Sequence, residues 1–596
     1  MDKGLVIIID PFVGLWRHSQ IQTQLANHLS SLGYRVIVLV CDSKSLESCS
    51  YFHYRNQEKT SLVSQEKCCE ECLTRSMARS NLLEKKGIEF LSIKQNFDLA
   101  ANLALHNCGK DLLQWEWRNL PVGRFAVYDV ALSLKTEPQL AIERDKKRLL
   151  YDLENSILIL ESVIDLANNR NPDAIIVHNG LYSSNRATWE WAKARNIPIF
   201  DVRNVANSKY RNHRYSVSEN LSEMFYPTIA THWNTLRDFE LNDTQCQEVY
   251  DHIASNITGS TPFSYSSALS QKEDLPKLDT FKQSQKVVLI IFNSLDERRT
   301  AQFCGINKGQ PYIFVNQLIE MSLEIAKKCP EMRFIFRLHP RMQANRRDKF
   351  ESPDLQEVET LLREKPENVY IDKATSFSKS IYDTAIDSDF IISFGSSAGL
   401  ILSALGFEVI LGEAEFDWWY PTDIYERVFR NSDIDGIVEY LSTHRNKLNL
   451  GRDYNKQQLL ALRFIYFNQF VLSTNSGLDS NINTDETSEF HVFRRILRIL
   501  FILFDLRILA AVINLALTDI LQKSKFLKLR VYLNTAIIAN SKPVTGFADF
   551  WVLLAENHWK DSLSVLCNRL SNYQFGINEG TNEERLKKEL RQLIKR

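Results

Sequence analysis

The hydrophobic residues of this chain collect in short unbroken runs, and between the runs apolar positions recur every three or four residues. The first run is Leu5-Val6-Ile7-Ile8-Ile9, closed by Asp10. It does not alternate with polar residues, which predicts a strand covered on both faces, as in a parallel sheet. After a loop from Pro11, the spacing of Ile21, Leu25, Leu29 and Leu32 predicts a helix, with Gly33 as its cap. Residues 34–40 predict the second strand, so the chain opens with a βαβ unit of Rossmann type. That unit lacks G-x-G-x-x-G, and a dinucleotide is not expected in this half.

The same alternation of runs and helical stretches continues. Strands are predicted at 87–91, 174–177 and 197–203, and helices at 157–168 and after Ser184. Residues 250–285 are rich in Ser, Thr, Pro and charge and read as a linker. A fresh apolar run at 287–292 opens a second α/β domain, followed by a turn over 293–297. Helices are then predicted at 317–328, 355–362 and 376–386, and strands at 333–338, 369–372, 389–393 and 408–411. Residues 434–469 read as mostly helical, and 473–489 as a polar spacer. The expected organisation is a Rossmann-like N-terminal domain over 1–250, a linker over 251–285, a second Rossmann-like domain over 286–470 and a helical region over 490–596.

Length and composition agree with two domains and an appendage, at 596 residues with 44% hydrophobic and 24% charged side chains. A net charge of −1 gives no global field for nucleic acid, and no nucleic-acid partner is expected. The start, Met1-Asp2-Lys3 and then a strand, has no signal-peptide pattern, which points to the cytoplasm. The apolar segment 491–517 is long enough to span a bilayer, yet it contains Arg498, Asp505 and Arg507. Each costs ~2.5–3.5 kcal/mol near the bilayer centre. An amphipathic helix lying on the inner membrane face, or packed in a bundle, fits the segment better.

Candidate chemistry sits where strands stop. Phe334-Ile335-Phe336 runs into Arg337, His339 and Pro340, and Phe390-Ile391-Ile392 runs into Ser393, Gly395, Ser396, Ser397 and Gly399. Ligands of open α/β sheets bind beyond the strand C-termini, and a helix that starts at a Ser/Gly cluster offers N–H groups and a positive dipole end to phosphate. Pro340 locks the backbone after His339. On the N-terminal side the strand ends bring Asp10 with His18 on the next loop, then His178-Asn179-Gly180 with Arg186 on the following helix. For each, a structural role is the alternative: Asp10-Pro11 starts turns well, and a strand-end histidine is often satisfied by backbone.

Arg-x-His-Pro, followed by an aspartate-led strand and a Ser-Ser-x-Gly turn, resembles the GT-B-type capsule and surface-polysaccharide glycosyltransferases, which include bacterial Kdo and sialic acid transferases using CMP-sugars. The resemblance implies two Rossmann-like domains across a cleft, an acceptor in the first and a nucleotide-sugar in the second. It implies donor contacts from Ser294, Asp296, Glu297, Arg337, His339, Pro340, Gly395, Ser396, Ser397 and Gly399. It places His178, Asn179 and Arg186 on the acceptor side. His339 is then the donor to the leaving phosphate, and Asp10 or His18 the base for the acceptor hydroxyl. The acceptor it implies is a glycan or lipid-linked glycan. No catalytic cofactor is expected.

Two departures stand out: Asn293 replaces a serine, and Ile401 occupies the place of a ribose-binding glutamate. The latter favours a CMP-sugar over UDP-sugar and epimerase-type relatives. A teichoic-type glycerophosphotransferase, or a scaffold that keeps the fold without the chemistry, are the alternatives.

Five of the ten cysteines fall between 41 and 72. Cys69-x-x-Cys72 has zinc-ligand spacing, and Cys41 and Cys49 would complete a structural tetrathiolate. The other reading is a set of buried thiols packing as small hydrophobes. Related surface-carbohydrate proteins carry a similar Cys-rich insertion after the second strand.

Overall fold

The structure, a computed structural model, describes residues 4–41, 49, 64–93, 112–136, 138–204, 214–219, 221, 233–234, 236–257, 285–294, 296–306, 315–343, 351–374, 380–412, 421–425, 427–429, 433–444, 456–471 and 474–475.

The first domain is built on β1 (Leu5–Ile9), β2 (Arg35–Val40), β3 (Glu89–Ser92), β4 (Ala174–His178), β5 (Ile199–Asn204) and β6 (Arg214–Ser218). Its sheet runs β13-β6-β5-β4-β1-β2-β3, where β13 (Thr474–Asn475) returns from far along the chain to the edge. From β5 to β3 every pairing is parallel, while β6 and β13 are antiparallel. The unbroken apolar run of β1 has a direct cause. Leu5, Ile7 and Ile9 enter one core and Val6 and Ile8 the other, so both faces are buried. One face is covered by α1 (Trp16–Ser31) and α2 (Gln65–Glu84), and the other by α3 (Val122–Leu134), α4 (Pro138–Arg170) and α5 (Ser183–Ala194).

The second sheet, β12-β11-β10-β7-β8-β9, is parallel throughout. Its strands are β7 (Val287–Ile291), β8 (Arg333–Arg337), β9 (Val369–Asp372), β10 (Phe390–Ser393), β11 (Val409–Gly412) and β12 (Arg427–Phe429). The helices that accompany it are α6 (Asp243–Ile257), α7 (Asp296–Phe303), α8 (Val315–Lys328), α9 (Asp354–Arg363), α10 (Ile381–Ile386), α11 (Ser397–Ala404), α12 (Ile434–Thr443) and α13 (Lys456–Tyr466). Val287, Leu289 and Ile291 face the layer of α6, α10, α11 and α13, and Val288 and Ile290 face α8, α9 and α12. The two Rossmann-like domains read from the sequence are therefore both present.

The domains share chain more than a single linker would require. Cys246, Val249, Ile253 and Ile257 form one stripe of α6 and, with Trp233, Leu236 and Leu241, join the second core. The domain boundary expected at 250 falls inside this helix. Among the described residues, Trp233 and the chain that follows it through α6 pack with the second sheet. The turn expected over 293–297 also ends early: Asp296 opens α7, whose Ala301, with Cys304 and Ile306 just beyond it, packs into the first domain's core. Among the described residues no helix is long and apolar enough to cross a membrane. The segment 491–517 and the helical region expected over 490–596 lie outside the described residues.

Candidate functional site

In each sheet the strand order reverses once, and a crevice opens there between loops that leave in opposite directions. In the first sheet β1, β2 and β3 step one way and β4 returns to the other side of β1; in the second, β7, β8 and β9 step one way and β10 returns beside β7. The strand ends singled out in the sequence lie at these two places: β1 and β4 in the first domain, β7 and β10 in the second, with β8 next to β7.

At the first switch point His18, in the opening turn of α1, stacks on His178 at the end of β4, with ring centroids 4.1 Å apart and planes inclined by 17°. Tyr182 adds a third ring 6.1 Å from His18. Asn179 adopts a left-handed backbone, φ 56°, which asparagine tolerates. Asn185 holds that turn, its Nδ2 donating to the carbonyls of His178 at 2.7 Å and Asn179 at 3.2 Å.

Asp10 is not placed as a base should be. It is 3% exposed, and its Oδ2 accepts from both Arg79 of α2 and Ser19 of α1. These bonds tie the β1 loop to α1 and α2 through Asp10, while His18 stands in the ring stack beside it.

Arg186 lies on α5, buried, with Nη2 2.6 Å from Glu190 and its guanidinium 5.1 Å from the Phe125 ring. Its Nε and Nη1 have no hydrogen-bond partner among the described residues. The N-terminus of α5 is not open to an anion. Asp129 of α3 already occupies it, accepting from the Ser183 N–H at 3.0 Å and the Ser183 hydroxyl at 2.5 Å. Burial pushes the Asp129 carboxyl up from its ordinary range, against the pull of these bonds and of Arg148.

At the second switch point the turn after β10 is pinned from within. The Ser393 hydroxyl accepts from the Ser396 N–H at 3.3 Å, and Asn293 Nδ2 reaches across from the end of β7 to the Gly395 carbonyl at 3.2 Å. Gly395 has φ +68°, and a Cβ there would meet nothing within 4 Å, so this backbone borders open space. Ser396 caps α11, accepting from the Ala398 N–H at 3.3 Å, and Ser397 is exposed in the first turn. That turn holds no acidic residue, which leaves its dipole unopposed. Gly399 has a packing role: a Cβ would come within 2.4 Å of Ser393 Oγ. Ser294 and Glu297 are half-buried on either side of the α7 N-terminus, and Asp296 is the first residue of that helix.

His339 follows β8 and caps a short 3-10 turn, Pro340–Met342, with Nδ1 accepting from the Arg341 N–H at 3.2 Å. In the neutral ring this puts the proton on Nε2. Arg337 departs from its expected role. It is 4% exposed and paired with Asp372, its register partner at the end of β9. The pair ties the C-terminal ends of β8 and β9 together. Ile401, in the second turn of α11, is buried in the second core.

Helix α3 connects the two switch points. Near its middle Asp129 holds the α5 start, and at its C-terminal end it holds the loop of His339. Arg341 Nη2 donates to the Leu132 carbonyl at 2.9 Å, Lys135 Nζ to the Gln343 carbonyl at 2.9 Å, and Ser352 Oγ to the Lys135 carbonyl at 3.3 Å. The sequence reading missed these residues, although Asp129 amid the buried run of α3 signals a buried partner. Cys41, Cys49, Cys69 and Cys72 come together beside Pro11 and Phe12 of the β1 loop. Among the described residues no group of three or more His, Cys, Asp or Glu side chains stands at metal-holding geometry.

Two doubly wound sheets with ligand-type loops at both switch points define a GT-B-type α/β architecture. No protein family and no curated protein matches the chain. Among solved structures it is similar to the beta Kdo 2,4 transferase of Thermosulfurimonas dismutans, at 14% identity over 49% of this chain and 79% of that one, TM-score 0.28. It is also similar to the UDP-GlcNAc 2-epimerases of Neisseria meningitidis (13% identity, 78% of this chain and 97% of that, TM-score 0.25) and Methanocaldococcus jannaschii (11%, 77% and 98%, TM-score 0.27). At these identities and scores the architecture rests on the sheet topology itself.

Proposed function

We propose that this chain is a nucleotide-sugar-dependent glycosyltransferase, with the donor at the second switch point and the acceptor at the first. The observation that carries this reading is the coupling of the two crevices through α3, which ties the His18–His178 side to the His339 loop. In such a reaction the anomeric carbon leaves its phosphate and bonds to an acceptor oxygen. Negative charge accumulates on the departing phosphate, and the acceptor hydroxyl loses a proton. The α11 N-terminus with Ser396, Ser397 and the bare backbone of Gly395 suits that phosphate, with His339 as an added donor. His18 is the group for the proton. A CMP-sugar is the favoured donor, since Ile401 lies in the core where a glutamate would hold a ribose. The acceptor class is a surface glycan or its lipid-linked precursor.

A thermal-shift panel of CMP, UDP and CDP on the full chain tests the reading, followed by release of nucleotide from the matching sugar donor. Stabilisation by CMP and CMP release in the presence of acceptor support it. A second reading, a scaffold that keeps the fold, draws on the capture of Arg337 by Asp372, which removes a cation from the crevice. No shift with any nucleotide at millimolar concentration favours the scaffold. Turnover of CDP-glycerol in place of a CMP-sugar favours the glycerophosphotransferase.

A further inference from the structure

Four cysteines from three separate stretches surround one small cavity beside the first switch point. Cys41 directly follows β2, Cys49 comes eight residues later in the sequence, and Cys69 and Cys72 stand three apart in the first turns of α2. That spacing sets the last two on one helix face. With Pro11 and Phe12 the four line a cavity of about 20 Å³. This is room for a single water-sized guest. Cys68, between Glu66 and Cys69 on the same helix, is fully buried and does not line the cavity.

A backbone donor reaches one of these sulfurs. The Gly14 N–H donates to Cys72 Sγ at 3.0 Å, and Arg75, one turn beyond Cys72, donates from Nη1 to the Gly14 carbonyl at 2.9 Å. Backbone N–H groups and a cation beside ligating thiolates are what a metal site uses to hold its ligands in place. In the arrangement described, the thiols surround the cavity without three of them meeting at ligand distance.

We propose that Cys41, Cys49, Cys69 and Cys72 bind one zinc(II) ion as a tetrahedral tetrathiolate. An all-sulfur closed set selects a soft or borderline ion and serves structure rather than catalysis, with Zn–S bonds of about 2.3 Å. Binding releases four thiol protons and leaves a site of charge −2, which the Gly14 N–H and Arg75 oppose. The consequence is positional. The ion joins the end of β2 to α2 and, through Cys72 and Gly14, to the β1 loop. Arg79 of the same helix holds Asp10 at the start of that loop, and His18 follows at its end. The ion would thus fix the loop that presents His18, and this inference stands whether or not the glycosyl-transfer reading holds.

The test is elemental analysis of the full chain, produced in zinc-supplemented medium and purified without chelator. About one equivalent of zinc is expected. Cys69→Ser and Cys72→Ser should each lower it at least ~tenfold, and Cys68→Ala should leave it unchanged. Should the serine variants fail to fold, the wild-type protein still decides the matter. Stripping the ion should expose four more thiols to alkylation, mapped to these four positions, and cobalt(II) should restore a thiolate-to-cobalt charge-transfer band. Hydrogen exchange over residues 10–20 should rise on stripping. Protein carrying no metal, an equivalent of iron in place of zinc, or zinc retained in a folded Cys69→Ser/Cys72→Ser double variant would each overturn the assignment.

Discussion

His18 and His178 lie ring on ring, 4.1 Å between centroids, although 160 residues separate them in sequence; they meet because β4 returns beside β1. One histidine comes from the first turn of α1 and the other from the last position of β4. Stacking fixes the ring faces and leaves hydrogen bonding to the ring planes, where an acceptor hydroxyl would have to approach. A base needs such orientation before its basicity matters.

Replacing His18 with alanine should therefore lower turnover by ~10²–10⁴ while the protein keeps its fold. Asp10→Asn should behave in the opposite way. It leaves Arg79 buried without its carboxylate, a loss on the order of 3–5 kcal/mol in stability. Measuring kcat and the denaturation midpoint for both variants separates the roles. An Asp10→Asn protein of normal stability and no activity would return Asp10 to the chemistry.

On the proposed donor side, two substitutions report on different loops of the second switch point. His339→Ala should cost ~10²–10³ in turnover with little change in folding, as expected for loss of one donor to a leaving phosphate. Gly395→Ala meets no protein atom, yet its φ of +68° strains any L-residue by about 1–2 kcal/mol. Its effect should fall on the adjacent nucleotide, weakening binding about tenfold by calorimetry. Unchanged nucleotide affinity in Gly395→Ala would move the phosphate elsewhere.

Much of this fold is legible in the sequence because a parallel strand with two covered faces leaves an unbroken apolar run. Leu5–Ile9 and Val287–Ile291 feed alternate residues into opposite cores, and each run stops where its loop begins. Partnership is less legible. The stripe Cys246, Val249, Ile253 and Ile257 marks a buried helix face but does not say which sheet buries it. Arg337 reads as a strand-end cation, while the carboxylate that claims it ends another strand 35 residues later and is set by register alone. The antiparallel strands β6 and β13, at one end of the first sheet, carry polar residues and leave no apolar run to detect.

The Arg337–Asp372 pair gives a prediction that distinguishes sheet architecture from ligand binding. Both side chains are nearly fully buried, at 4% and 1% exposure. Asp372→Asn leaves a buried unpaired charge and should cost about 3–5 kcal/mol. Exchanging both residues for apolar ones of similar size, Arg337→Met with Asp372→Leu, should cost less than either single change. Urea denaturation of the set measures the coupling. If Arg337→Met alone abolishes nucleotide binding while stability is unchanged, Arg337 serves the ligand after all.

The last prediction concerns pH and the helix that crosses the expected boundary. His252 of α6 is buried in the second domain, its Nε2 3.3 Å from Asn256 Nδ2, and burial lowers its pKa from 6.5 to about 4. The folded protein therefore holds this ring neutral between pH 6.5 and about 4, whereas the unfolded chain protonates it. The unfolded state binds more protons throughout that window, so stability falls as pH drops through it and levels off below about 4. The full loss from this one residue is about 3 kcal/mol. His252→Gln removes the titration and keeps a polar side chain beside Asn256. The stability difference between wild type and this variant should shift by that amount against the wild type between pH 7 and pH 4 by chemical denaturation. A difference that stays constant across the window would mean that His252 titrates in the folded protein as it does in the open chain, and that α6 is not held in the second core as described.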